Sequence, residues 1–331
     1  MKIAFYNTKT FDRQAFEGAP SANRHQIRYL KPRLDRDTVE LAAGADAVCM
    51  FVNDHADAVV IERLAALGVK HLALRCSGFN QVDLAAAKRV GMTIVRVPAY
   101  SPHAVAEHAI GLLLMLNRKL HRAYNRVRDG NFALEGLLGF DLHGKTVGVI
   151  GTGRIGACTA RILHGFGCNI LAHDPYPNPE VIALGATYTG IDELLGASDI
   201  VSLHLPLTAE SRHLIGPHHL ASLKPGAMII NTSRGALIDT AAAIEALKSG
   251  HIGGLALDVY EGEAELFFED RSQSIIQDDL FSRLLTFPNV VVTAHQAFFT
   301  REALANIAEV TLGNLSQLER CEVCPNQVVE G

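Results

Sequence analysis

Arginine, histidine and acidic side chains stand at the ends of strand-like apolar runs in the second half of the sequence. Arg234 follows one such run, the acidic segment 258–263 leaves another, and His295 ends a third. Ligands of open parallel sheets bind at the carboxyl ends of the strands, so we expect these segments to lie close together. An arginine can hold a carboxylate through two parallel hydrogen bonds, and a histidine carries a proton near neutral pH. A neighbouring acid favours the protonated imidazole.

These three kinds of group together fit hydride transfer to a 2-keto acid. The reaction needs an anchor for the carboxylate, a proton donor for the carbonyl oxygen, and a group that keeps the donor charged. Alone, the arginine would indicate a surface residue and the acids a solvated turn. A single histidine would indicate a structural residue, because the chain contains 15 histidines. Their combination favours catalysis with a cofactor that brings the hydride.

A glycine-rich segment between two apolar runs predicts a dinucleotide site. Gly151 permits a tight turn after the run 147–150, Gly153 lets the backbone approach a pyrophosphate, and Gly156 lets helix and strand pack closely. The helix that follows offers free N–H groups to the phosphates. Asp174 lies 174 − 156 = 18 residues past the last glycine, where an acid can bind the ribose hydroxyls. Because this acid would repel a 2′-phosphate, the expected cofactor is NAD rather than NADP.

The composition is that of an ordinary globular enzyme. The 331 residues favour two domains, and the net charge of −5 argues against nucleic acid as a partner. No apolar run reaches membrane-spanning length, so no membrane partner is expected. The chain opens on a strand-like run without a charged and apolar leader, which predicts a cytoplasmic protein.

Strands and helices alternate along the chain, which predicts the α/β class with parallel sheets. The first domain is expected at 1–100 and 300–331 and the second at 101–299, with a long helix at 102–121 between them and an irregular stretch at 122–145. Strands are predicted at 3–7, 25–30, 47–53, 71–76, 93–97, 147–150, 170–174, 199–205, 227–232, 254–259 and 290–293. Further helices are predicted at 56–67, 82–90, 191–196, 211–223 with a break at Pro217, 240–248 and 300–318.

Several motifs resemble the D-specific 2-hydroxyacid dehydrogenases, over essentially the whole chain. They include the glycine segment, Asn-Thr-Ser-Arg-Gly at 231–235, Asp-Val-Tyr-Glu-Gly-Glu at 258–263 and Thr-Ala-His at 293–295. The stretches 75–80, 97–108 and 266–270 are similar to the fermentative bacterial subgroup. The resemblance implies two Rossmann-like or flavodoxin-like domains with an inter-domain cleft, and NAD-dependent reduction of pyruvate to D-lactate. It also implies a homodimer or a homotetramer.

The resemblance also assigns roles to individual residues. Arg234 would bind the substrate carboxylate, His295 would be the acid and base, and Glu263 would pair with it. The substrate would further contact Ser77, Gly78, Phe79 and Tyr100. Besides the three glycines, cofactor contacts would fall at Val105, Arg154, Ile155, Asp174, Thr232 and Asp258. Two positions depart from the family pattern, because Ser77 stands where alanine is commoner and His103 where an acid is familiar.

Other features leave alternatives open. Phe298 and Phe299 could shape the substrate pocket or belong to the core. The segment 264–280 could line the cleft, form a subunit contact or be a surface loop. We expect no metal site, because the adjacent His218 and His219 should point different ways on a helix and Cys321 and Cys324 lack a second pair. A larger 2-keto acid remains possible as substrate, and so does a dinucleotide-sensing protein without catalysis.

Overall fold

The chain forms two compact units. The computed structural model describes residues 1–328, apart from the side chain of Glu265. One unit contains Met1–Ser101 together with the chain from Phe298 onward, and the other contains Pro102–Ala297. The first unit is therefore built from two separate stretches of sequence, and the second from one.

The first unit contains a five-stranded parallel sheet. Its strands are β1 (Lys2–Phe5), β2 (Gln26–Tyr29), β3 (Ala47–Met50), β4 (His71–Leu74) and β5 (Thr93–Arg96). Their spatial order is β2-β1-β3-β4-β5, which is the flavodoxin-like order. All four residues of β3 are buried, as expected for a central strand covered on both faces.

The second unit contains a seven-stranded parallel sheet. Its strands are β6 (Thr146–Ile150), β7 (Asn169–His173), β8 (Thr187–Tyr188), β9 (Ile200–Leu203), β10 (Ala227–Asn231), β11 (Ile252–Leu257) and β12 (Val290–Val292). The order is β12-β11-β10-β9-β6-β7-β8, so the strand order reverses between β6 and β9. This is the Rossmann arrangement with one added edge strand, and ligands bind at such a reversal. The predicted α/β class is confirmed.

Twelve α-helices cover the two sheets within the described residues. They are α1 (Thr10–Gly18), α2 (Ala58–Ala66), α3 (Leu84–Val90), α4 (Pro102–Arg118), α5 (Leu120–Arg128), α6 (Arg154–Gly165), α7 (Pro179–Ala183), α8 (Ile191–Ala197), α9 (Pro217–Ser222), α10 (Thr240–Lys248), α11 (Asp279–Leu285) and α12 (Arg301–Glu319). Several begin at an acid whose carboxylate accepts a backbone N–H, as Asp57 does for α2 and Asp239 for α10. Among the described residues, no helix is both long enough and apolar enough to cross a lipid bilayer.

Two predicted helical regions are wrong in detail. The expected helix 102–121 ends at Arg118, because Lys119 adopts a left-handed backbone (φ 51°), and α5 then extends into the stretch predicted to be irregular. Of the expected helix 211–223 with its break at Pro217, only the part from Pro217 forms, as α9. The Ser211 hydroxyl bonds the backbone around it, in a turn that competes with a helix, and Pro217 opens α9 at its first position.

Candidate active site and cofactor site

The glycine segment forms the loop between β6 and α6. Gly151 has a φ of 90°, and a Cβ there would lie 2.3 Å from the carbonyl oxygen of His204. A Cβ on Gly156 would lie 1.9 Å from the carbonyl oxygen of Gly151. At Gly153, in contrast, no described protein atom lies within 4 Å of a built Cβ. Packing within the protein therefore requires the outer two glycines, whereas the middle one borders open space where a pyrophosphate can approach.

Asp174, directly after β7, is fastened to the glycine loop. Its Oδ2 accepts hydrogen bonds from the backbone N of Thr152 (2.6 Å) and from the Thr152 hydroxyl (3.2 Å). The carbonyl of Thr152 accepts from Asn178 Nδ2 (2.8 Å), and its hydroxyl accepts from the Tyr188 hydroxyl (2.8 Å). Sequence reasoning missed Thr152, Asn178 and Tyr188, because nothing local links these distant positions. The network holds the acid beside the glycine loop.

Two buried polar atoms near the strand reversal have no hydrogen-bond partner among the described residues. They are the Thr232 hydroxyl, just after β10, and Nδ1 of His204, just after β9. Buried polar atoms are rarely left unpaired, so each unpaired one in a native structure calls for an explanation. A bound dinucleotide would supply polar partners here, and the open space at Gly153 would receive its phosphates. The residues present therefore fit NAD.

Burial lowers the pKa of His204 to about 4, which predicts acid-sensitive stability. The unfolded chain binds a proton at this position below about pH 6.5, whereas the folded chain binds it only near pH 4. The free energy of unfolding is therefore highest above about pH 6.5 and falls as the solution is acidified. We expect the free energy of unfolding to fall by about 2 kcal/mol from this group between pH 7 and 5. Denaturant unfolding of the native chain and of His204→Gln at both pH values checks this. Equal losses in the two proteins would contradict it.

The remaining predicted cofactor residues lie on helices of the second unit. Val105 is buried in α4, Arg154 is the exposed first residue of α6, and Ile155 follows it half-buried. Arg154 therefore stands at a helix N-terminus, where free N–H groups already favour an anion. Their contacts with the cofactor stay predictions.

Arg234 lies in a rigid turn after β10. Asn231 fixes the turn by accepting from the backbone N of Ser233 (3.0 Å) and donating to the carbonyl of Arg234 (2.8 Å). A Cβ on Gly235 would lie 2.0 Å from the carbonyl carbon of Tyr260, so only glycine fits beside the backbone there. The Arg234 guanidinium donates to the Ser233 carbonyl (2.7 Å) and has no carboxylate partner among the described side chains, which do not include that of Glu265. Its charge is available for an anionic ligand.

His295 and Glu263 form a hydrogen-bonded pair. Nδ1 of His295 lies 2.7 Å from Oε1 of Glu263, and the two side chains are 15% and 21% exposed. The other carboxylate oxygen of Glu263 accepts from the backbone N of Tyr260 (2.8 Å). A carboxylate only accepts, so Nδ1 carries a proton and Nε2 is left to exchange one with a ligand. This is the arrangement of an acid–base catalyst oriented by a third group.

The loop that carries His295 has an unusual backbone. Ala294 and His295 both adopt the left-handed region, with φ values of 55° and 57°. Residues other than glycine occupy this region at a cost of roughly 1–2 kcal/mol each, so surrounding contacts must hold them there. One such contact is the hydrogen bond from the backbone N of His295 to the carbonyl of Asp258.

The carboxylate of Asp258 supplies most of the other contacts. It is fully buried and accepts from the Thr293 hydroxyl (2.6 Å), the Gln296 N (2.8 Å) and the Ala297 N (2.9 Å). Burial alone would raise the pKa of Asp258, but hydrogen bonds from His108 and Thr293 hold it below its usual value. Asp258 therefore positions the His295 loop, a role that sequence reasoning missed together with His108. Its predicted cofactor contact stays a prediction.

The predicted carboxylate loop follows β4 in the first unit. Nη1 of Arg96 donates to the Ser77 carbonyl (2.8 Å), and its guanidinium lies 5.1 Å from the centre of the Phe79 ring. Within the described chain, the backbone N–H groups of Gly78 and Phe79 have no protein acceptor. Two free, adjacent donors held by Arg96 can bind a carboxylate.

Tyr100 and Phe298 belong to an aromatic cluster of the first unit. The Phe298 ring centre lies 6.2 Å from that of Tyr100 and 6.0 Å from that of Phe51. Asn306 Nδ2 donates to the carbonyl of Tyr100 (2.7 Å) and fixes the backbone there. Phe298 is buried, so it is part of the core, while its neighbour Phe299 is 47% exposed. Their roles toward substrate stay predictions.

Comparison with known proteins identifies close relatives. Residues 110–297 match the family model for the NAD-binding domain of D-isomer-specific 2-hydroxyacid dehydrogenases. A 2-hydroxyacid dehydrogenase homolog of Haemophilus influenzae is 55% identical over 99% of both chains. The D-lactate dehydrogenase of Escherichia coli is 53% identical over 99% of this chain and 100% of its own length. The apo-structure of D-lactate dehydrogenase from Escherichia coli superposes with a TM-score of 0.91 at 50% identity, covering 99% of this chain and 100% of that one.

Proposed function

The chain belongs to the D-isomer-specific 2-hydroxyacid dehydrogenase family, and on that premise we propose that it is an NAD-dependent D-lactate dehydrogenase that reduces pyruvate. The observation that carries the proposal is the His295–Glu263 pair, in a unit whose strand reversal fits NAD. The second unit then binds the cofactor. The first unit, with its free backbone donors at Gly78 and Phe79, serves the substrate.

The proton-transfer residue in this proposal is His295. Bound NADH supplies the hydride that reduces the keto carbon. The proton for the carbonyl oxygen comes from Nε2 of protonated His295, and in lactate oxidation the neutral Nε2 removes it again. Glu263 stabilises the imidazolium and fixes the ring through its bond to Nδ1 (2.7 Å). Asp258 keeps the loop in its left-handed conformation, so that the ring is positioned before substrate arrives.

The substrate anchor in this proposal is Arg234. A planar guanidinium can make two parallel hydrogen bonds to the pyruvate carboxylate, which fixes both the position and the orientation of the keto group. The rigid turn set by Asn231 and Gly235 limits the freedom of the Arg234 backbone. The same positive charge favours the negative charge that develops on the carbonyl oxygen during reduction.

A substrate series tests the proposal. The purified protein would be mixed with NADH and pyruvate, and with 2-ketoisocaproate or phenylpyruvate in parallel, while the nicotinamide absorbance is followed. Rapid loss of NADH with pyruvate, giving only D-lactate, is the expected result. Preference for a bulkier keto acid would keep the enzyme class and change the assigned substrate to a larger 2-keto acid. Binding of NADH without turnover of any of the three would contradict the enzymatic proposal and favour a dinucleotide-sensing protein.

Asp174 should set the preference for NADH over NADPH. We expect Asp174→Asn to raise the ratio of kcat/KM for NADPH to that for NADH by about tenfold, because the variant removes the charge that repels a 2′-phosphate; this corresponds to ~1.4 kcal/mol. Asparagine keeps an oxygen that can accept the hydrogen bonds of Thr152. Steady-state kinetics with both cofactors measures the ratio, and an unchanged ratio at unchanged melting temperature would refute the assignment.

We also propose that the protein is a homo-oligomer, assembled through α5 and the stretch after it. Leu120, Tyr124 and Val127 form one stripe of α5, and all three are exposed. Leu134 and Leu138 in the following stretch are 80% and 88% exposed. A soluble protein rarely leaves this much apolar surface in contact with water, so a second copy is the expected cover.

A charge placed on this surface tests the assembly. We expect Leu138→Asp to convert the native oligomer to a monomer in size-exclusion chromatography with light scattering, because assembly would bury the new carboxylate without a partner. Val323→Asp is the matched control, since Val323 is 91% exposed elsewhere. A monomeric native protein, or an intact oligomer in Leu138→Asp, would contradict the proposal. The cytoplasmic location stays a prediction.

A further inference from the structure

Two histidines and an aspartate lie close together on the surface of the second unit. None of them is among the residues predicted to bind the substrate or the cofactor. Asp192 lies in the first turn of α8, and His218 and His219 lie in the first turn of α9. One ligand atom from each of the three lies within 4.8 Å of the others. The expectation that the adjacent histidines point different ways is wrong, because their ring centres are only 5.3 Å apart.

The distances are close to those of a metal coordination sphere. Nε2 of His219 lies 3.4 Å from Oδ1 of Asp192, and Nε2 of His218 lies 3.8 Å from the same oxygen. Two ligands of tetrahedral zinc, each bound at its usual length, lie roughly 3.3 Å apart. The His218 and Asp192 side chains are 82% and 70% exposed, so small rotations can bring the third ligand into place.

The tautomer of His219 supplies a second, independent observation. Its Nδ1 is hydrogen-bonded to the backbone carbonyl of Leu214. A carbonyl only accepts, so Nδ1 carries the proton, and in the neutral ring the lone pair of Nε2 faces the Asp192 carboxylate. Nε2, which lies 3.4 Å from Oδ1 of Asp192, is therefore the ring nitrogen that can bind a metal ion. Donation from Nδ1–H to a backbone carbonyl is also the usual way in which metal-binding histidines are oriented.

We propose that Asp192, His218 and His219 form a surface site for a divalent transition-metal ion of the zinc type. The ligands are Nε2 of both histidines and one carboxylate oxygen, with water completing the tetrahedron. Two imidazoles and one carboxylate suit zinc, nickel or copper, whereas magnesium and calcium prefer sites built from oxygen alone. None of the three residues takes part in the proposed dehydrogenase chemistry, so the site stands independently of that function.

A metal here would connect separate parts of the fold. It would join α8 to α9 and, through the Leu214 carbonyl, to the segment that precedes α9. That segment pairs with the chain following Arg234, since Ile215 bridges Ile238 and the backbone N of His213 donates to the Ala236 carbonyl (2.7 Å). The ion would therefore act as a structural staple, and its binding should raise the melting temperature.

Isothermal titration calorimetry of metal-free protein with zinc chloride tests the site. We expect one equivalent to bind to the native chain, and the affinity to fall at least tenfold in His219→Gln and in Asp192→Asn. His164→Gln, which removes an exposed histidine of α6, is the matched control and should bind like the native chain. Magnesium chloride should produce no binding heat at the same concentrations.

The outcome does not depend on a single variant. His219→Gln loses the bond to Leu214 and could unfold the local segment, so its melting temperature without metal must match that of the native chain. Asp192→Asn changes an exposed side chain and keeps the test valid if His219→Gln is unstable. Equal zinc affinity in the native chain and Asp192→Asn, or no zinc binding by the native chain, would overturn the proposal.

Discussion

Replacing His295 by glutamine is expected to lower kcat for pyruvate reduction by about 10²–10⁴-fold, the usual contribution of a general acid–base residue. Glutamine is similar in size and can still donate a hydrogen bond to Glu263, but it has no proton that it can give up near neutral pH. The fold and the cofactor site should be retained, because His295 does not contact the glycine loop in any hydrogen bond of the structure. The loss should therefore appear in kcat, with NADH binding unchanged.

Transient kinetics and cofactor titration separate these effects. Rapid mixing of the enzyme–NADH complex with pyruvate measures the rate of reduction, and quenching of protein or nicotinamide fluorescence measures the dissociation constant of NADH. His164→Gln serves again as a histidine replaced at an exposed position. If the rate constant of His295→Gln lies within threefold of the native value, His295 is not the proton donor.

Replacing Arg234 by lysine should damage substrate binding and the chemical step together. We expect kcat/KM for pyruvate to fall by about 10²–10³-fold, with KM raised and kcat lowered, because an ammonium group cannot reproduce the two parallel hydrogen bonds of the guanidinium. The positive charge is retained, so the loss reports on geometry. The turn should persist, since Asn231 bonds the backbone at this position and not the side chain.

The matched control for Arg234→Lys is Arg212→Lys. Arg212 is an exposed arginine of the same unit that pairs with Glu261 at 2.9 Å. Steady-state kinetics over a range of pyruvate concentrations gives kcat and KM for each variant. A native KM in Arg234→Lys would exclude this residue as the carboxylate anchor, whatever the change in kcat.

The glycine loop and the strand-end residues were predictable because their signals are local. Gly151, Gly153 and Gly156 stand between a strand and a helix in one short stretch, and the geometric demand on each is carried by the backbone beside it. Arg234 and His295 each follow a strand, and parallel strands bring their carboxyl ends to one edge of the sheet. A local rule combined with one topological rule was enough.

The supporting contacts were not predictable because they join distant positions. Asp258 holds the His295 loop through Thr293 and lies 3.4 Å from Nε2 of His108 on α4, and Asp174 is bound to Thr152. No periodicity in the sequence marks such pairs. Helix α5 was missed for a different reason, because its apolar stripe is short and interrupted by charged residues, and the left-handed Lys119 separates it from α4. The metal cluster likewise depends on how α8 and α9 pack.

Because the first unit is discontinuous, it can complete its fold only after the second unit has been synthesised. Helix α12 packs on β4, β5 and α1, and the chain beyond it pairs with β5 through Val328 N and the Ile94 carbonyl (2.8 Å). When residues 1–101 leave the ribosome, the helix that covers their sheet has not yet been made. The continuous second unit is complete earlier, so it can reach its native state first, while part of the apolar sheet of the leading segment stays exposed until α12 has been made. The nascent leading segment therefore exposes apolar surface that the completed first unit buries.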